Sequence, residues 1–240
     1  MSDDLLGVRL KLERADEHFA SFDAGAVAFF ASKPYAIQEV VGASGEAVWR
    51  IRRAVTPPAR LGALIGDAIH NLRAALDHLA WGLVRSAGAT PTWRTQFPIS
   101  QNQERFDEWA PRNLKGGASP AAVEAVRALA PWHGGNPSLH RLHRLDIADK
   151  HRVLLPVGCC VRDAFLPPGL AKKPARIFPI EAGVIVLTAP ADYRGQFDVR
   201  FGFDITLGED AVVPGENVVS TMSRMRSAAQ EVVDALQPFA

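Results

Sequence analysis

Two short segments about seventy positions apart concentrate the side chains that can do acid–base or anion chemistry. The first reads Gly66-Asp67-Ala68-Ile69-His70-Asn71-Leu72-Arg73-Ala74-Ala75-Leu76-Asp77-His78, and the second runs from His140 to Arg152. Six of the seven histidines fall in or just before them: His70, His78, His133, His140, His143 and His151. In the first segment Asp67 and His70 are three apart, and Arg73 and Asp77 are four apart, so each pair can touch along a helix. A carboxylate beside a histidine orients the ring, and imidazole titrates close to neutral pH, which is what a general acid or base needs. His70 or His78 is therefore the expected acid–base group, with Asp67 or Asp77 as its orienter. Asn71, Arg73, Lys150, His151 and Arg152 are the expected substrate-binding residues, because guanidinium forks match phosphate oxygens.

In the second segment His143, Asp146 and Lys150 share one helical stripe, and His140, Arg144, Ile147 and His151 share the next. No cofactor is predicted. A divalent metal is the alternative chemistry for this stretch, with His140, His143 and Asp146 as ligands, since histidines three apart on a helix can chelate. No His-Glu-x-x-His or cysteine-rich spacing accompanies them. Asp149 is expected to point away from the stripe, and Asp149 to Arg152 to form the end of the helix. Lys150, His151 and Arg152 also have a simpler role there, as positive charge complementing the macrodipole at a helix C-terminus.

The elements that must position these groups follow from periodicity. Leu61 to Val84 places Leu64, Ile65, Ile69, Leu72, Leu76, Leu79 and Leu83 on one arc and Asp67, His70, Asn71, Arg73, Asp77, His78 and Trp81 on the opposite one. A solvated helix face is normally filled with Lys and Glu. This stretch contains neither. Short or branched polar groups in their place suit a partly dry cleft, where each donor and acceptor must be satisfied. Gly62 and Gly66, one turn apart, admit a close neighbour.

The rest of the chain reads as helices flanking hairpin-like strands. Leu5, Val8, Leu12, Ala15, Phe19, Phe22, Ala26 and Phe29 mark a long first helix ended by Pro34, and Ala47 to Arg52 alternates as a strand after a Gly42 to Gly45 turn. Thr56-Pro57-Pro58 is expected to start the central helix, with the threonine as its cap. Helices are also expected around Gln103 to Trp109, Pro120 to Ala130, Ser138 to Lys150 and Glu216 to Leu236. Strands are expected at Val153 to Val161, Arg176 to Ile180, Gly183 to Ala189 and Phe197 to Leu207, the last with one buried and one wet face. Helices that do not alternate with each strand predict an α+β fold, long helices packed with a mainly antiparallel sheet. We expect one domain over residues 1–240, with a loop or subdomain edge near 167–174.

Composition excludes several classes. Of 240 residues 48% are hydrophobic and 22% charged, and 27 basic against 26 acidic residues give a net charge of +1. No global field therefore draws the chain to nucleic acid or an anionic membrane, and a local patch would have to do so. Arg50, Arg52 and Arg53 form one small basic group, read as a solvated strand face. The two cysteines, Cys159 and Cys160, are adjacent and cannot form a disulfide framework. The acidic start and the lack of any long apolar run predict a cytoplasmic chain with no membrane partner. Glycine pairs at 116–117 and 134–135 lack phosphate-loop spacing, and there is no Gly-x-Ser-x-Gly elbow.

The segments Gly66 to His78 and Leu145-Asp146-Ile147-Ala148-Asp149-Lys150-His151-Arg152 resemble the paired signature of a family of bacterial proteins of unknown function, a likeness that brings no activity with it. Arg73 and His78 also have the Arg-x4-His spacing of HEPN ribonucleases, and that resemblance implies metal-independent RNA cleavage by this arginine and histidine in an all-helical domain. The sequence departs from that pattern at Ala74, where HEPN motifs carry a polar residue, and in its strands. Five residues on a continuous helix also turn the two side chains about 140° apart. Together the residues point to a His/Arg/Asp cleft acting on an anionic small molecule or a phosphodiester such as RNA. The alternative is a non-enzymatic binding or assembly protein whose polar clusters are structural.

Overall fold

The central helix forms where the sequence places it, but it is enclosed on more sides than an amphipathic helix would be. A computed structural model describes residues 5–114, 117–154, 156–161, 177–195, 201–208, 212–213 and 216–240. Its helices are α1 (Leu6–Ala31), α2 (Ala59–Ser86), α3 (Gln103–Asn113), α4 (Pro120–Ala128), α5 (Pro137–His151) and α6 (Val218–Leu236). Its strands are β1 (Ala36–Val41), β2 (Ala47–Arg53), β3 (Pro156–Val161), β4 (Ile177–Pro179), β5 (Ile185–Ala189) and β6 (Gly202–Leu207). The fold is mixed α+β, with long helices and antiparallel sheet. The strands form two three-stranded sheets, ordered β1-β2-β5 and β4-β3-β6, and every pairing is antiparallel.

Helix α2 packs against α1, α5 and α6. Leu61, Ile65, Ile69, Leu72, Leu76, Leu79 and Leu83 are all buried, each worth roughly 1.5–3 kcal/mol relative to exposure. Three helical neighbours also explain why Lys and Glu are missing from α2: little of its surface faces water. On α1, Val8, Leu12, Ala15, Phe22, Ala26 and Phe29 turn inward as their spacing requires. Its chain then reverses through Lys33, at φ 52°, into Pro34.

Several boundaries differ from expectation for local reasons. Thr56 does not cap α2; Pro58 occupies that position with no side-chain cap bond, and Pro57-Pro58 alone sets the entry. Helix α5 starts one residue early because the Asn136 side chain accepts from Ser138 N and Leu139 N, and it continues through His151 instead of unwinding at Asp149. Asn217 caps α6 by accepting from Ser220 N. In β6 the expected alternation fails at its end: Thr206 is buried between Ile205 and Leu207, and its hydroxyl donates to the Val157 carbonyl at 3.4 Å, while Gly202 and Asp204 remain half-buried. Phe197, Val199, the 167–174 loop and the side chains of Cys159 and Cys160 lie outside the described residues. Among the described residues no helix is long and apolar enough to cross a membrane.

Candidate functional site

Helices α2 and α5 run antiparallel in a register that small residues make possible. A side chain at Gly62 would collide with the backbone carbonyl of Leu154, and one at Gly66 with the Asp149 carboxylate. One turn further along, His70 Nδ1 lies 3.1 Å from Asp146 Oδ1. Past that, Arg73 and His143 are close enough for their charges to act on each other. The contacts 62/154, 66/149 and 70/146 bring the two sequence segments together along one seam.

Asp146 is the centre of that seam. It is 1% exposed, and its second oxygen accepts from Lys150 Nζ at 2.6 Å. The side chains of His70 and Lys150 are each 53% exposed. A buried carboxylate thus has two solvent-reaching partners, which satisfies its lone pairs. With His70 Nδ1 protonated, the ring donates to Asp146 and leaves the Nε2 lone pair for solvent or substrate. His70 is therefore oriented from the facing helix by Asp146, not from its own helix by Asp67. Asp67 instead approaches His18 of α1, with Oδ2 3.8 Å from Nδ1.

Asp149 also belongs to the seam, contrary to its expected outward direction. Burial raises its carboxyl affinity for protons, and the like charges of Asp67 and Asp146 raise it further, against an opposing effect of His70. Sequence spacing on α5 alone gave no sign of this. The glycine at position 66, read as the opening for a specific partner, was the available signal.

The remaining polar residues of α2 are committed elsewhere. Arg73 is 4% exposed. Its Nη1 donates to Asp77 Oδ1 at 2.7 Å and its Nη2 to the Phe97 carbonyl at 2.8 Å, while Phe97 N donates to the same Asp77 oxygen at 2.8 Å. This closed three-way bond ties the segment after α2 back onto the helix, so Arg73 does not join Lys150 and Arg152 as an anion clamp, nor Asp77 a histidine as orienter. Asn71 is likewise occupied: its amide donates to the Asp67 carbonyl, and its oxygen accepts from Lys11 Nζ at 3.2 Å. His78 is exposed and sits over Gly7 of α1, where an added Cβ would be 2.6 Å from its Nδ1. The Arg73/His78 pair of the HEPN resemblance is accordingly split between a buried bond network and the α1 side. His151 and Arg152 are exposed at the end of α5, next to Lys150 in sequence.

The metal candidates do not assemble: among the described residues no three His, Cys, Asp or Glu side chains are grouped to hold an ion. Asp146 serves His70 and Lys150, while His140 and His143 line a cavity of about 350 Å³ with residues of α3 and the segment before it. Burial is the main reason the His143 pKa falls to about 4, helped by the Arg73 guanidinium, and its Nδ1 has no hydrogen-bond partner among the described residues. His140 is lowered too, by burial and then by His133 and Arg144. The chain matches no protein-family model, no curated protein and no solved structure.

Proposed function

We propose that the α2–α5 seam is an acid–base site acting on a phosphodiester, with RNA the first substrate to test. His70 moves the proton, Asp146 orients its ring, and Lys150 supplies positive charge beside it. The observation that carries this reading is the buried Asp146 carboxylate 3.1 Å from Nδ1 of a ring half open to solvent. A histidine fixed through one nitrogen by a carboxylate presents the other as a base. On RNA, His70 Nε2 takes the proton of a 2′-hydroxyl, and the 2′-oxygen bonds to the adjacent phosphorus. The bond from phosphorus to the 5′-oxygen breaks, and that oxygen takes its proton from water. The Lys150 ammonium offsets charge gathering on the phosphate oxygens. Arg152, exposed at the same helix end, adds positive charge for the strand's backbone, and His151 is exposed beside it.

The test is incubation of purified protein with mixed-sequence RNA at neutral pH beside a His70→Ala control. Cleavage that yields 2′,3′-cyclic ends and is lost in the variant supports the reading. No cleavage, or cleavage that the substitution leaves unchanged, removes it.

A second reading is favoured by one specific observation, the buried bond network of Arg73, Asp77 and Phe97. If the His70 group is scaffolding of the same kind, the protein is a binding or assembly protein. His70→Ala then lowers the melting temperature and alters no reaction.

A further inference from the structure

A second group of cations lies on α5 beside the Asp146 seam, which it meets at His143. The cavity of about 350 Å³ has Arg105 and Trp109 of α3 on one side and His140, His143, Arg144 and Ile147 of α5 on the other. A neighbouring cavity of about 480 Å³ is lined by His133, His140, Arg141 and Arg144 among others. His140 and Arg144 belong to both, so they form the wall between two neighbouring chambers. Among the described residues, neither chamber is lined by a carboxylate.

The chambers differ in character. The first is mainly apolar, with Ile99, Trp109 and Ile147 supplying its walls. Trp109 and Ile147 are left 46% and 40% exposed, so the chamber lacks a partner for its aromatic and aliphatic surfaces. The cations are unequally available. Arg141 is held by Glu216 at 2.9 Å and Arg105 by Glu108 at 3.2 Å. Among the described residues no carboxylate pairs with Arg144. It is exposed and stands beside His140 at the dividing wall. His143 adds a neutral imidazole to the lining of the same chamber.

A site of this volume, apolar with a few convergent polar groups, is typical of small-molecule pockets. A flat apolar body with a phosphate fits its two halves. The body would lie against Trp109 and Ile147, the phosphate would be gripped by Arg144 at the wall, and His143 would meet an edge of the ring. We propose that this cleft binds a nucleoside monophosphate, with the base in the chamber of Trp109 and the phosphate on Arg144. The proposal does not rest on the His70 reading, since it concerns binding on Arg144 and Trp109, neither of which touches His70 or Asp146, and requires no cleavage.

The test is calorimetric titration of the full chain with the four ribonucleoside 5′-monophosphates, their unphosphorylated nucleosides and inorganic phosphate. At least one monophosphate is expected to bind, more tightly than its nucleoside and more tightly than phosphate alone. Arg144→Gln is expected to weaken it roughly tenfold or more, and Trp109→Leu to weaken the nucleoside portion, both with unchanged melting temperature in the absence of ligand. No binding by any monophosphate, phosphate binding as tightly as the nucleotides, or an affinity indifferent to Arg144→Gln overturns the proposal. Arg144 and Trp109 are exposed, so loss of folding does not confuse the outcome.

Discussion

Asp146 of α5 and His70 of α2 meet at 3.1 Å across two helices whose sequences are 76 positions apart. One partner is almost wholly buried and the other half open to water. That asymmetry gives the pair its directional character: Nδ1 is engaged by the buried carboxylate while the ring stays half open to water. Lys150, one turn along α5, closes the other side of the carboxylate at 2.6 Å.

Removing Asp146 and removing His70 are therefore expected to have unequal effects on stability. Asp146→Ala leaves His70 and Lys150 without their shared acceptor and opens a buried site, and a loss of about 1–3 kcal/mol follows. His70→Ala removes a half-exposed ring and costs less than about 1 kcal/mol. Urea denaturation of the two variants checks the difference. Equal losses would show that His70 is as structural as its partner.

The Arg73 network is expected to behave as scaffold. Arg73→Ala strands Asp77 and the Phe97 carbonyl, and Asp77→Ala strands the buried guanidinium and the Phe97 N–H, so each should cost about 2–4 kcal/mol. The double variant should cost much less than the sum, with a coupling of about 1–3 kcal/mol. Neither should change the chemistry assigned to His70 once the proteins are compared below their melting temperatures.

Helix approach at the seam gives a third expectation. Gly62→Ala sets a methyl group against the rigid backbone carbonyl of Leu154, whereas Gly66→Ala sets one against the Asp149 carboxylate, which can rotate. The first should destabilise by more than about 2 kcal/mol and the second by less. A reversed order in thermal melts would mean that the two helices are not held in this register.

Stability should also fall in acid through His143. Its folded pKa, about 4, lies below its unfolded value of 6.5, so between these values the unfolded chain binds more protons. The contribution is complete above pH 6.5 and is lost as pH falls through 4, with a magnitude of about 3 kcal/mol or less, since the ring is not fully enclosed. His140 works in the same direction. Asp149 opposes them, because its raised pKa means that protonation in acid relieves an unfavourable buried charge. Denaturation at pH 7.5, 6 and 5 should show the fall, and His143→Leu should flatten it.

What the sequence made legible was periodicity and type. The α+β class, the long helices and the packing face of α2 followed from apolar spacing; of the two glycines expected to admit another backbone, Gly62 does so at Leu154, whereas Gly66 admits the Asp149 side chain. Partner choice was not legible. Asp67 sits three residues before His70 on the same helix, but the ring turns to Asp146, because only the register between α2 and α5 decides which carboxylate is within reach. Arg73 looked available for an anion because its position on the polar arc said nothing about the Phe97 segment that folds over it. Strands β4 and β5 fall inside the expected Arg176 to Ile180 and Gly183 to Ala189, whereas the alternation expected over Phe197 to Leu207 does not carry through β6, where Ile205, Thr206 and Leu207 are buried in succession by pairing and packing that no single strand encodes.

The acid–base role of His70 is tested most directly by chemical rescue. With His70→Ala, RNA cleavage should drop at least about 100-fold while the melting temperature stays nearly constant, and added imidazole should restore a measurable part of the rate. A wild-type protein that leaves RNA intact, or a variant that cleaves at the wild-type rate, contradicts the account; so does a lost rate that imidazole cannot recover.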